Sequence, residues 1–254
     1  MVYKILPYCI FRNLFGDRKQ FGLIIQKNDP DFKEWTKNYE KFYNDSQKGS
    51  IGKIVNHYGF KVVEKLDYTN KSVVELGPGI IEHPIYNKTI PKRYTLVDIN
   101  EIFLKKSKVI LTENSCPNVS TIQVKDSTSI PVEDNLADIV LSFHQLEHIY
   151  NIEDYLQEIK RVLKKDGLFA GAVPTEGSLA WGGGRYLTSR RYVKKNMNFN
   201  FDKIICWEHP NFVDLIQEKL NKNFQLIYSI KKPLKFLPLD FNLSWSFIYK
   251  NTDK

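Results

Sequence analysis

Residues Val73 to Gly79 read Val-Val-Glu-Leu-Gly-Pro-Gly, an apolar run that carries the acid Glu75 and turns on Gly77 and Gly79. Glycines directly after a strand let the backbone approach a ligand where a Cβ would collide. About twenty residues beyond that turn, Tyr94-Thr95-Leu96-Val97-Asp98 ends in a second acid, at the distance from which a carboxylate can take both hydroxyls of a ribose. Two spaced features therefore agree on a nucleoside site.

A dinucleotide site would need a third glycine with the pyrophosphate on a helix N-terminus, but Glu82 stands where that glycine belongs, and an acid there repels a pyrophosphate. The pattern indicates an adenosine without phosphates, and the carboxylate of Glu75 suits a cationic amino group. S-adenosylmethionine has both properties.

The elements that must position these residues are short apolar runs alternating with amphipathic segments, the pattern of βα units feeding a mostly parallel sheet. Strands are predicted at Ser72 to Leu76, Tyr94 to Asp98, Val119 to Val124, Ala137 to Phe143 and Leu168 to Val173. A helix with Ile152, Tyr155, Leu156, Ile159, Val162 and Leu163 on one face is predicted to be capped by Asn151 and stopped by Gly167. Another is expected at Pro210 to Leu220. Runs at Phe224 to Ile230 and Leu243 to Tyr249 lie too close together for a crossover helix and are expected to pair antiparallel. Before the first strand, helical periodicity is clearest from Phe32 to Tyr43 and from Ile51 to Leu66.

The chain has 254 residues, 42% of them hydrophobic and 26% charged, which excludes a disordered or fibrous protein. We expect residues 1–70 to form a helical appendage and 71–254 one domain with an insert at about 174–209 on the substrate side. Thirty-seven Lys and Arg against 29 Asp and Glu give a net charge of +8, but the lysines are dispersed and no nucleic-acid partner is expected. Cys9, Cys116 and Cys206 show neither a disulfide nor a zinc pattern, so a reducing, cytoplasmic setting is expected, without stable membrane insertion. The apolar residues among Met1 to Phe15 are interrupted by Lys4, Pro7 and Arg12 and are expected to pack on the domain rather than form a signal peptide.

Over residues 72–175 the sequence resembles the class I S-adenosylmethionine-dependent methyltransferases, in particular the small-molecule "type 11" pattern. The motifs follow in order: Glu75 to Gly79, Asp98, Asp126-Ser127 with Ile130 to Asp138, Val140 to Ile149, and Glu158 to Gly167. Ile81 and Asp166 depart from the glycines usual in that family. The resemblance implies an α/β, Rossmann-like seven-stranded mostly parallel sheet with an antiparallel last strand and helices on both faces. It implies that Glu75 binds the methionine ammonium through the loop or water, while Gly77 and Gly79 let the backbone pack on the cofactor. Asp98 would hold the ribose, Ile99 cover an adenine face, and Asp126, with Ser127 beside it, accept from the adenine amino group. Ser142 and Phe143 are divided between cofactor contact and core packing.

Of the five histidines, His144 is the candidate general base, because an imidazole near neutrality suits removal of an acceptor proton. His148, four residues on, is a hydrogen-bonding candidate on the acceptor side; no metal is expected at this pair. Specificity is expected from residues 174–209, where Trp181, Arg185, Arg190, Arg191 and His209 would meet the acceptor, the glycines of Trp181-Gly182-Gly183-Gly184 making a mobile lid and the arginines gripping an anion. The expected activity is methyl transfer to a small molecule. A weaker resemblance of Glu208 to Phe212 and Pro238 to Trp245 to enzymes of bacterial surface-polysaccharide pathways implies a sugar, sugar nucleotide or phosphate- or phosphoramidate-bearing capsule precursor. A quinone-precursor or lipid methyltransferase and a non-catalytic cofactor-binding scaffold are the alternatives.

Overall fold

The computed structural model describes residues 1–48, 55, 57–126 and 130–252. Part of the segment expected to be helical from Ile51 to Leu66 lies outside them. Seven strands, β1 (Ser72–Leu76), β2 (Arg93–Asp98), β3 (Val119–Gln123), β4 (Ala137–Phe143), β5 (Leu163–Pro174), β6 (Gln225–Lys232) and β7 (Ser244–Lys250), form one sheet in the order β3-β2-β1-β4-β5-β7-β6. Strands β1 to β5 run parallel, and β7 is antiparallel to both its neighbours. The chain reverses its direction of filling between β1 and β4, the switch point beyond whose carboxyl ends open α/β sheets bind their ligands.

The leading helices are α1 (Tyr8–Phe15), α2 (Arg18–Phe21) and α3 (Pro30–Lys48). Within the sheet region come α4 (Glu101–Glu113) and α5 (Ile152–Val162), followed by α6 (Leu179–Leu187), α7 (Ser189–Asn196), α8 (Phe201–Glu208) and α9 (Val213–Asn223). Alternation along β1 splits the core in two. Val74 and Leu76 face a cluster built with α5 and α9, while Val73 faces one built with α4 and Val62, Val63 and Leu66. Helices thus cover both faces. The α5 stripe of Ile152, Tyr155, Leu156, Ile159 and Val162 is buried as its spacing dictates.

Two boundaries differ from the sequence expectation. Helix α5 stops at Val162, five residues before Gly167, because Leu163 turns extended to pair with Ala137 and begins β5. The reversal in φ falls on Asp166, at +64°, rather than on the glycine. Helix α9 begins at Val213, after Pro210.

Residues 174–209 are three helices, not a glycine-rich loop. Gly182 lies inside α6, where a Cβ would come 2.5 Å from Phe15 Cε1, so its missing side chain lets α1 seat a fully buried Phe15 on α6. Arg18 donates to the carbonyls of His209 (2.7 Å) and Pro210 (2.9 Å), and Trp207 Nε1 donates to Phe21 O at 2.9 Å. Lys203 bridges Asp29 (3.0 Å) and Asp31 (2.7 Å). The N-terminal helices and the helices after β5 are stitched together. Packing of the N-terminus is only partial, since Phe15 is buried while Ile5 and Ile10 stay exposed.

At the centre of the sheet Gly171 lets β5 approach β4, for a Cβ there would sit 2.0 Å from Ser142 O. That neighbour is backbone and cannot rotate away. Gly171→Ala is therefore expected to destabilise the fold by about 3 kcal/mol, the upper end of ordinary overpacking. A urea denaturation midpoint equal to wild type would show that the two strands separate freely.

Candidate functional site

The glycine turn after β1 rests on a buried polar group. Glu75, 1% exposed, accepts from Tyr94 Oη at 2.5 Å and from His83 Nε2 at 3.0 Å. Both oxygens are thus engaged beneath the turn, and the carboxylate does not itself reach the crevice. The chain turns at Gly77 (φ +59°) and Gly79 (φ +56°), backbone values that favour glycine. A Cβ at Gly77 would strike the Gln145 side chain at 2.7 Å, so that glycine makes room for Gln145; at Gly79 a Cβ would meet nothing within 4 Å. Gln145 is itself held, accepting from Ser142 Oγ (2.9 Å) and Tyr155 Oη (3.1 Å).

Asp98 ends β2 with one oxygen accepting from Gly79 N (3.2 Å) and the other from Asn100 N (2.7 Å). Burial raises its carboxyl above the ordinary range, against the pull of those amides. Ile99 beside it is 61% exposed, an apolar face open to an aromatic ligand. Asp126 lies exposed after β3, and Ser127 falls outside the described residues. Ser142 and Phe143 turn out to be core. Ser142 is fully buried on Gln145, and Phe143 packs edge-on against Phe60 with ring centroids 5.2 Å apart.

The second half of the site lies beyond β4 and β5. Glu176, two residues past β5 and 1% exposed, accepts from Trp181 Nε1 at 2.7 Å, pairs with Arg185, and lies 2.7 Å from His209 Nδ1. Burial alone would raise its carboxyl; Arg185 and His209 outweigh that and hold it well below the usual carboxylate range. The rings of His209 and His148 meet edge to face at 4.6 Å, and His148 Nδ1 donates to Glu208 O at 2.5 Å. Glu147, 2% exposed, has one oxygen 3.9 Å from His148 Nε2, while the other has no hydrogen-bond partner. Burial pushes its carboxyl up to about 8. Glu147 and Glu176 were not foreseen. An acid four residues past β4 and another two residues past the adjacent β5 were the available signal.

These contacts correct several sequence assignments. Arg185 is spent on Glu176, and Arg190 on Asp202 and Asn13 O, so neither offers a free fork to an anion; Arg191 is exposed on α7. Trp181 is likewise tied to Glu176. His144 sits at φ +52° with its Nε2 buried, unpartnered and close to Gly59. Burial lowers its imidazole to about 4, not near neutrality, so it is a poor proton acceptor. His148 turns its Nδ1 toward Glu208 O and its ring toward His209.

Comparison with known proteins bears on this geometry. Residues 74–171 match the family model described as a methyltransferase domain. The protein is a methyltransferase, and its cofactor is S-adenosylmethionine. No curated protein matches the chain in sequence. Among solved structures, a candidate S-adenosylmethionine-dependent methyltransferase from Listeria monocytogenes aligns at 19% identity and TM-score 0.52 over 75% of this chain and 95% of its own. A candidate methyltransferase from Bacillus halodurans aligns at 15% and 0.52, over 76% and 97%. The [4+2]-cyclase SpnF aligns at 12% and 0.51, over 75% and 78%. At these identities the likeness is one of fold, and the cyclase shows that the fold alone does not choose the reaction.

The buried acid carries a pH signature. Between the ordinary glutamate value of 4.5 and about 8 the folded state holds a proton on Glu147 that the unfolded state releases, so its contribution to stability falls as pH rises through that window. Glu147→Gln removes the dependence. Its stability relative to wild type is expected to rise from pH 5 to pH 8, by at most about 1.4 kcal/mol per unit. His144 acts in the opposite sense below pH 6.5 but is common to both proteins and cancels. Parallel denaturation curves at the two pH values would show that Glu147 is ionised when buried.

Proposed function

We propose that the protein transfers the methyl group of S-adenosylmethionine to a hydroxyl or amine of a small molecule held between the ends of β4 and β5 and the helices that follow β5. The observation that carries this reading is the pairing of two adjacent half-sites at one end of the sheet. The glycine turn, Asp98 and the exposed Ile99 suit an adenosine, and the unpartnered oxygen of Glu147 lies in a cluster with His148, His209 and Glu176. The cofactor supplies a methyl group already activated on a sulfonium.

In this reading Asp98 holds the ribose, Ile99 covers the adenine and Asp126 meets its amino group. Glu75 acts from beneath, fixing the turn through His83 and Tyr94. The acceptor side is rich in carboxylates, with Glu147, Glu176 and Glu208, while Arg185 and Arg190 are neutralised. With both arginines paired to acids, neither is free to grip a phosphate, and the unpartnered Glu147 oxygen suits a hydrogen-bond donor. Glu147 then takes the role that sequence assigned to His144. A carboxyl near 8 titrates close to working pH, where a group can accept the acceptor's proton as the methyl arrives. In this reading α1 and α2, with residues 174–209, form the cap that shelters the acceptor from water.

Two substitutions separate the half-sites. Asp98→Ala removes a charged acceptor for ribose hydroxyls and is expected to weaken S-adenosylmethionine binding by about 1.5–3 kcal/mol, read by calorimetry. Glu147→Gln is expected to bind the cofactor as wild type does. With labelled S-adenosylmethionine and fractionated cell extract supplying the acceptor, it should lower turnover by about 100-fold or more. Wild-type turnover in Glu147→Gln would remove Glu147 from the chemistry, and wild-type affinity in Asp98→Ala would remove the ribose assignment.

A further inference from the structure

The loop between β6 and β7 is ordered yet turns its apolar residues outward. Its organiser is Asn242, fully buried, whose Nδ2 donates to Pro238 O (2.9 Å), Leu234 O (3.1 Å) and Leu237 O (3.3 Å) while its Oδ1 accepts from Leu234 N (2.7 Å). One amide thus satisfies four backbone groups and fixes the loop's shape. Around that knot Phe236 is 98% exposed, and Leu234, Leu237 and Phe241 are about half exposed. Leaving a whole Phe side chain in water forgoes its burial, a cost that a loop this well tied has no conformational reason to bear.

Charge sits beside the apolar tip. Lys232 ends β6 and Lys235 follows three residues on beside Phe236, and burial together with the charges of Lys235 and Lys61 lowers Lys232 from its ordinary value. None of the three forms an ion pair with a carboxylate among the described residues. The strand register fixes where this patch lies. Ser244 pairs with Lys232 on one side and with Pro174, the last residue of β5, on the other. The loop therefore emerges at the same end of the sheet as the glycine turn, Asp98 and Glu176. The N-terminal turn abuts it, since Val2 N donates to Asp240 Oδ1 at 3.0 Å, and adds an exposed Ile5.

We infer that this edge, with Phe236, Leu237 and Leu234 as apolar anchors and Lys61, Lys232 and Lys235 as headgroup contacts, docks the protein reversibly on an anionic lipid bilayer. Apolar side chains enter the interface and lysines collect at the anionic surface, the two signals that together hold a peripheral protein. The choice of a bilayer over a protein rests on charge complementarity, with unpaired lysines beside a Phe236 side chain that is almost wholly exposed. No helix among the described residues is long and apolar enough to cross a membrane, so the contact is a surface one.

The test is co-sedimentation of the full chain with vesicles of phosphatidylcholine alone and of phosphatidylcholine mixed with phosphatidylglycerol. Wild type is expected to partition onto the mixed vesicles, weakly onto the neutral ones, and to be released by salt. Lys235→Gln should lower partitioning about fivefold, the effect of one surface lysine. Phe236→Asp should abolish it, while calorimetric S-adenosylmethionine binding and the thermal midpoint stay at wild type, because that side chain touches neither core nor cofactor site. Failure of wild type to bind the mixed vesicles overturns the inference. So does unchanged partitioning in both variants, or a dimer that Phe236→Asp dissociates with no vesicle binding in wild type. None of these outcomes bears on methyl transfer, which is read separately.

Discussion

The helices that follow β5 depend on one buried charge. Glu176 leaves the end of β5 into an interior where an isolated carboxylate would be expensive, and the surrounding structure is what makes it tolerable. Arg185 and Trp181 reach it from α6, and His209 from beyond α8. Each of these groups brings its own element to a fixed place. The next step outward follows: Arg18 from α2 donates to His209 O and Pro210 O and lies over the Phe212 ring at 3.7 Å. Removing one partner of such a buried pair typically costs about 3–5 kcal/mol, so the carboxylate constrains α6, the end of α8 and the N-terminal helices together.

A comparable arrangement underlies the cofactor half. Glu75 is buried with the two oxygens engaged by Tyr94 and His83, which sets the height of the glycine turn above the sheet. Gln145 lies between the halves, anchored by Ser142 and Tyr155 and occupying the space that Gly77 leaves. The groups around Glu75 and around Glu176 are therefore separate polar networks. In the proposed reading, a change on the Glu176 side alters what is methylated without disturbing what donates the methyl group.

Strand positions were legible in the sequence because a parallel sheet buried on both faces writes itself as short apolar runs, and β1 and β4 have the predicted limits. Asp98 was legible for a similar reason: it ends a strand at a fixed distance from the glycine turn. What the sequence could not display was partnership. Arg185 and Arg190 look alike there as free cations, and only the fold shows each one against an acid. His144 reads as an ordinary imidazole until burial beside Gly59 lowers its proton affinity. The Trp181-Gly182-Gly183-Gly184 run reads as a hinge, yet Gly182 is a packing glycine beneath Phe15, a contact between segments too far apart for any periodicity to reveal.

Strand direction explains why so many separate features share one end of the molecule. Five parallel strands deliver their carboxyl ends, with Leu76, Asp98, Phe143 and Pro174, to the same edge. The antiparallel β7 begins there instead of ending there, because Ser244 lies opposite Pro174. A parallel β7 would have carried its preceding loop to the far edge, remote from the cofactor. As built, the basic, apolar-tipped loop lies at the end of β5, and Thr175 Oγ1 donates to Asn242 O, coupling the residue before Glu176 to the residue that knots the loop. Whatever presses on the tip is thus two residues' remove from the charge that organises the acceptor site, a shorter physical route than any through the sheet.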